Sequence, residues 1–233
     1  MKLTFIIPAL NEQKNITLCV DAIINQLNKE DEVLVVDNGS TDKTIALAKQ
    51  HGARVVSESK RGISNARNRG AKEARGDVLC FIDADGIVGN HWVEKVRKTL
   101  KPGIHVVTGM NVFEHKNIIK MMWYNTYTCI AYVSIGLQAL LLRRTFITGN
   151  NVAIRKDVFQ SLGGFEPVVG EDYWLSRKFW TMRDKRGMFV PTMVVWYSSR
   201  GFDASGFLHT IFYWITNTFR KADQSKYSYK SKK

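Results

Sequence analysis

The chain has 233 residues, 45% hydrophobic and 24% charged, which is enough for one domain with a sizeable core and excludes disorder and collagen-like repeats. With 34 Lys and Arg against 21 Asp and Glu the net charge is +13, so an anionic partner is expected: nucleic acid, nucleotide phosphates or an acidic membrane surface. Residues 1–142 hold 18 basic and 14 acidic side chains and residues 143–233 hold 16 and 7, which puts most of the excess in the last third.

Residues 3–7 (LTFII) form an apolar run closed by Pro8, and Ile16, Cys19, Val20, Ile23, Ile24 and Leu27 follow at helical spacing. The cycle repeats with VLVV (33–36) and a helix over 41–51, then with RVVS (54–57) and a helix over 62–74. VLCFI (78–82) is apolar throughout, as a strand buried on both faces must be. Asn90 is the expected N-cap of a helix carrying Trp92, Val93, Val96 and Leu100, which Pro102 and Gly103 end, and IHVVTG (104–109) is the next strand. Alternation of this kind predicts an α/β fold, a mostly parallel central sheet with flanking helices, whose ligands bind beyond the carboxyl ends of the strands. Cys19, Cys80 and Cys129 are dispersed and encode neither a disulfide framework nor a zinc site, and no apolar signal segment precedes the first strand. The expected location is cytoplasmic.

The strand ends carry acids: FIIPALNE (5–12), VVDNGSTD (35–42) and FIDAD (81–85). Asp37 is placed to accept hydrogen bonds from a nucleoside, and Asp83 and Asp85 end a buried run where two charges are costly without a partner such as a hard divalent cation. Together with GISNARNRGAKEARGD (62–77) and GGFEPVVGED (163–172), these segments resemble, in order and spacing, the family 2 glycosyltransferases of GT-A fold over roughly residues 3–180.

That resemblance implies transfer of a sugar from a nucleotide-diphosphate donor, with inversion and assisted by Mn²⁺ or Mg²⁺. By position it implies that Pro8, Ala9, Asn11 and Glu12 line the nucleotide pocket and that Asp37 and Asn38 hold the base or ribose. Lys60, Arg61 and Arg67 would stand near the phosphates or donor sugar. Asp83 and Ala84 would touch the donor, Asp85 with Asp83 would bind the metal, and Asp172 with Glu171 would face the acceptor, Asp172 as general base. Were the acceptor a lipid phosphate, its oxygen would be ionised already and Asp172 would only orient it. The chain departs from the pattern at Asn38, where a second Asp is common, and at Trp174, where another acid often follows. Ser198-Ser199-Arg200 stands where many relatives place a His, and Arg200 would serve as a phosphate clamp.

Residues 121–142 carry no charge and are flanked by Lys116, Lys120, Arg143 and Arg144, a length that allows a membrane span. A single crossing would separate Asp83 and Asp85 from Asp172, so an apolar insertion over 116–146 is expected to lie in the interface, re-enter or pack on the protein. From Ser205 onward Phe207, Leu208, Ile211, Phe212, Ile215 and Phe219 recur at helical spacing before a basic tail. This predicts an amphipathic C-terminal helix (201–233) on an anionic membrane after a catalytic domain at 1–200. The expectation is therefore a transferase that is peripheral or monotopic on the inner face of the cell membrane, acting on a lipid-linked or membrane-proximal acceptor, with homo-oligomerisation left open. A nucleotidyltransferase would need a Gly-rich loop with Lys after the first strand, which PALNEQKN is not. A nucleic-acid binder, or a degenerate scaffold that only binds a partner, would leave the strand-end acids unexplained, so no nucleic acid is expected.

Overall fold

A computed structural model describes residues 1–142 and 144–200, and beyond them Asp203, Gly206, His209, Phe212, Thr216 and Arg220. The first half is built of strand–helix cycles: β1 (Leu3–Ala9), α1 (Ile16–Ile24), β2 (Glu32–Asp37), α2 (Thr44–Gln50), β3 (Arg54–Ser57), α3 (Ile63–Glu73) and β4 (Val78–Ile82). There follow β5 (Gly86–Val88), α4 (Trp92–Thr99), β6 (Val106–Glu114), α5 (Ile118–Leu142), β7 (Asn151–Arg155), α6 (Lys156–Ser161), α7 (Glu171–Thr181) and β8 (Gly187–Ser198). These strands form one sheet in the order β3-β2-β1-β4-β7-β6-β8-β5.

The two-residue period of β1 divides its side chains between two cores. Leu3, Phe5 and Ile7 pack with Cys19, Ile23 and Trp92 on one face, and Ile6 packs with Leu34, Phe81, Ala66 and Phe165 on the other. Helices cover both faces, which is why every residue of β4 is buried. Close approach of α3 requires Gly70, where a Cβ would stand 2.3 Å from Ile6 Cγ2.

Register sets the site. Ala9 lies opposite Asp37 across parallel β1 and β2, and β4 runs parallel to β1 on its other side, so the loops after β1, β2 and β4 leave the sheet at one edge. Strand β7 returns antiparallel to β4 with Asn151 opposite Ile82, which delivers the segment before Asn151 to the same edge.

The sheet is mixed in its second half: β4–β7, β6–β7 and β5–β8 are antiparallel, while β6–β8 is parallel. Two sequence expectations are corrected. His91, not Asn90, caps α4, with φ of 61° in the left-handed region. The fifth predicted strand begins at Val106 and extends to Glu114, because its later residues pair with β8. The apolar insertion is α5, lying against β6 and β8. Helical phasing for 201–233, with Phe207, Leu208, Ile211, Ile215 and Phe219, lies outside the described residues.

Candidate active site

The loop after β1 is held by the loop after β2. Asn11, at φ 56°, donates its N–H to Ser40 Oγ (2.9 Å) and accepts at Oδ1 from the Thr41 N–H (2.8 Å), while the Glu12 N–H donates to Thr44 Oγ1 (2.7 Å). Asp37 is 4% exposed and accepts from the N–H groups of Gly39 (3.1 Å) and Ser40 (3.0 Å), so its carboxylate shapes the turn after β2. Asn38 donates through Nδ2 to the carbonyls of Glu58 (2.8 Å) and Lys60 (2.9 Å) and accepts from the Gly62 N–H (2.9 Å). An aspartate could not donate those two bonds, which explains in physical terms why an amide stands here. Arg61 bonds the Asn38 carbonyl (2.8 Å), and Lys60 beside it is exposed.

Beyond β4, Asp83 and Asp85 diverge. Asp83 Oδ1 pairs with Arg67 Nη2 at 2.8 Å. Asp85 pairs instead with Arg200, 3.1 Å from its Oδ2, and the same guanidinium reaches Glu12. Burial pushes the Asp85 carboxyl up to about 6; Arg200 opposes the shift, and the charges of Asp83 and Glu12 add to it. Tyr197 of β8 lies beneath, its hydroxyl donating to the Asn150 carbonyl. Burial foremost, then the charges of Asp83 and Asp85, raise its phenol far above the ordinary range.

Arg67 of α3 lies inside the site. It is 2% exposed, bound by Asp83 and by Glu171 Oε1 (2.5 Å), and stacked 5.3 Å from the Phe165 ring centre, so its charge is already engaged by protein carboxylates. Burial works against its charge, but Asp83 and Glu171 outweigh burial and hold its pKa above the ordinary value. Gly149 is required alongside it, since a Cβ there would lie 2.5 Å from Arg67 Nη1. Glu171 and Asp172 open α7 on the far side. Burial raises both carboxyls; Arg67 opposes it in each case, and the N–H groups of Tyr173 and Gly149 also oppose it at Asp172. One guanidinium thus joins the end of β4 to the start of α7.

The family model described as Glycosyl transferase family 2 matches residues 4–163. The chain belongs to that family. It is 29% identical over 185 residues to glycosyltransferase AglE of Haloferax volcanii, a match covering 74% of this chain and 59% of that relative. Its fold is similar to that of mannosyltransferase PcManGT from Pyrobaculum calidifontis, solved in complex with GDP-Man and Mn²⁺ (TM-score 0.64, 24% identity, 83% of this chain and 56% of that one). It is similar also to glucosyl-3-phosphoglycerate synthase from Mycobacterium tuberculosis, solved with Mg²⁺ and UDP (TM-score 0.64, 23% identity, 95% of this chain and 79% of that one). The family 2 chain spans about three fifths of the length of AglE. Its sheet and helices are of GT-A type.

Two expected donor contacts of the family 2 chain, Ala9 and Ala84, are buried in the core beneath Asp37, Asp83 and Asp85, whereas Pro8 and Glu12 are half-buried at the rim. Among the described residues no three His, Cys, Asp or Glu side chains form a metal-holding cluster. Asp85 and Glu12, carboxylate oxygens neutralised here by a half-exposed guanidinium, nevertheless fit a hard cation that brings its own phosphate and water ligands. Sequence reasoning missed Tyr197, Gly149 and the pair Asn111 and Asn150. Asn111 Nδ2 bonds Asn150 Oδ1 (3.0 Å), and the buried Asn111 Oδ1 has no hydrogen-bond partner among the described residues. Gly149 and Asn150 gave a signal in TGNN (148–151), an apolar-flanked polar turn at the mouth of a strand.

Proposed function

We propose that the chain moves a sugar from a nucleotide-diphosphate donor to a lipid-linked or membrane-proximal acceptor by a metal-assisted single displacement with inversion. The observation that carries this reading is the Arg67 bridge, which brings a donor-side carboxylate, Asp83, and the acceptor-side pair at Glu171 within reach of one guanidinium.

Asp85, with Glu12 beside it, would hold Mn²⁺ or Mg²⁺, and the cation would supply neutralisation of the leaving diphosphate. Arg200 occupies these two carboxylates in the free protein and must leave them as the donor arrives; its fork then suits the diphosphate oxygens. Lys60 and Arg61 stand exposed at the adjoining rim for the nucleotide phosphates or base. Asp172, with its carboxyl raised by burial, would take the proton of an acceptor hydroxyl. For an acceptor that is already ionised it orients the attacking oxygen. Arg67 and Glu171 keep that carboxylate fixed relative to Asp83, which supports attack and departure on opposite faces of the sugar. The charge of +13 supports a peripheral position on the inner face of an anionic membrane.

The stereochemical part is tested with UDP-glucose, UDP-N-acetylglucosamine and GDP-mannose, each with Mn²⁺ and water as the acceptor, reading the released sugar by proton NMR before mutarotation. The β anomer should form first from whichever α-linked donor is used. An α anomer would contradict a single displacement.

A further inference from the structure

Helix α5, Ile118–Leu142, is 25 residues and about 37 Å long at ~1.5 Å per residue, long and apolar enough to cross a membrane by length and composition. It does not cross one. The strand before it, β6, and the strand after it, β7, are hydrogen-bonded neighbours in one sheet, and the helix lies along that sheet. Its inner stripe is Tyr124, Thr128 and Tyr132, the buried members. The Asn125 amide exchanges two 2.8 Å hydrogen bonds with the Phe113 backbone of β6, and Tyr132 stacks on Phe189 of β8 at 5.6 Å.

The opposite face has no covering element among the described residues. Ile119, Met122, Ile130, Leu140 and Leu141 are 64–77% exposed, an apolar surface of the kind that soluble proteins rarely leave bare. No Asp or Glu occurs from residue 115 to residue 156, and exposed Lys116 and Arg144 stand at the two ends of the helix, with Lys120 beside the first of them paired to Asp203 at 3.0 Å. Trp123 and Tyr127 add aromatic rings of the type that settle at headgroup depth.

We propose that this outer face of α5 lies in the plane of a lipid surface, with its basic ends on anionic headgroups. Three features select lipid over a second copy of the chain. The apolar face spans about half the helix circumference, wider than the two-position seam through which paired helices meet. Positions flanking that seam, Met122 and Leu141 among them, are apolar where a helix pair carries charges. Both helix ends are basic, which suits an anionic surface and repels a like end.

The proposal deepens the reading of a membrane-proximal acceptor and rests on it for its purpose. Inward of the docking face stands Tyr132, whose phenol is raised by burial and further by the charge of Asp172. Tyr132 stacks on Phe189 of β8, so α5 stands between the lipid and the sheet whose edge carries the site.

The experiment is co-flotation of the full chain with vesicles of phosphatidylcholine alone or mixed with phosphatidylglycerol, at low and high salt. The comparison is the triple variant Ile119→Glu, Ile130→Glu, Leu140→Glu, whose positions are exposed and whose fold is checked by circular dichroism. The wild type should float with the anionic vesicles, less so at high salt, and the triple variant should bind at least tenfold more weakly. Equal flotation of the two proteins would overturn the proposal by assigning binding to another segment. A wild-type dimer in light scattering that the triple variant turns into a monomer, with no vesicle binding, would overturn it in favour of a second copy. Thermal stabilisation by nucleotide with Mn²⁺ is measured on the same samples. Its persistence without flotation would refute the docking face alone, and its absence with flotation intact would refute the donor site alone.

Discussion

The charge balance around Arg67 is the most informative feature at the scale of a residue. Its guanidinium is buried between Asp83 and Glu171, so deleting it strands two carboxylates in a medium that penalises them. Arg67→Met should cost about 3–5 kcal/mol in chemical denaturation, the range seen when one partner of a buried ion pair is removed. The pH dependence has a definite sign. Glu171 and Asp172 titrate above their unfolded-chain values, so the folded state binds protons more strongly and their charged forms weaken it above those pKa values. Without Arg67 the weakening grows, and the deficit of the variant should be largest near about pH 8 and shrink toward about pH 5. A deficit that widened on acidification would contradict the assignment. Asn38→Asp loses two donated hydrogen bonds and sets a carboxylate against the carbonyls of Glu58 and Lys60. A loss of about 1–3 kcal/mol is expected, read from the urea midpoint. Arg200→Ala, by removing the cation already paired to Asp85 and Glu12, should strengthen binding of Mn²⁺ alone and weaken that of nucleotide with Mn²⁺, both measured by calorimetry.

At the scale of elements, helix α3 is where packing and chemistry meet. Gly70 lets it lie on β1, and Arg67 is one turn earlier on the same helix. Gly70→Ala should therefore destabilise the fold by about 1–3 kcal/mol through overpacking and also reduce activity by shifting Arg67, measured by thermal melting and by transfer rate. Strands β1, β2 and β4 were legible because strands buried on both faces are apolar almost throughout, β3 because its Val55-Val56 pair sits between turn signals, and the helices because they repeat at i, i+3, i+4. Strand β5 was not, since three residues, Gly86–Val88, are too few to show a period. Strand β7 and α6 were hidden for a different reason: Asn151 at the head of β7 is polar yet fully buried, satisfied by Trp92 Nε1 and by the carbonyls of Met110 and Met193. Such long-range partners leave no local signature. Within the site, the carboxylates could be read from their places at strand ends, whereas the partners of Arg67 lie 16 and 104 residues away and only the folded chain joins them. The same holds for Asn11, whose side chain reads as an open ligand but is bonded to the loop after β2, whereas Asp37 is taken up by its own turn at Gly39 and Ser40.

For the whole molecule, three strand-end loops, the return strand β7 and helix α7 converge at one sheet edge, and that edge carries opposite demands. In the proposed function its acids would have to be charged to hold a cation, yet burial pushes the Asp85 carboxyl up to about 6, a shift that Arg200 opposes. A donor bringing diphosphate and cation together would satisfy both groups at once, since a cation suits the carboxylates and a diphosphate suits the arginine. The most direct test of this account is the melting temperature of the full chain with UDP, GDP or dTDP, each with and without Mn²⁺, for the wild type and for Asp85→Asn. Ligand bound to the native state raises the melting temperature by mass action. The account predicts a rise for one nucleotide that requires Mn²⁺ and disappears in Asp85→Asn. A rise that survives the substitution, or no rise with any nucleotide in folded protein, would contradict a donor site built on Asp85.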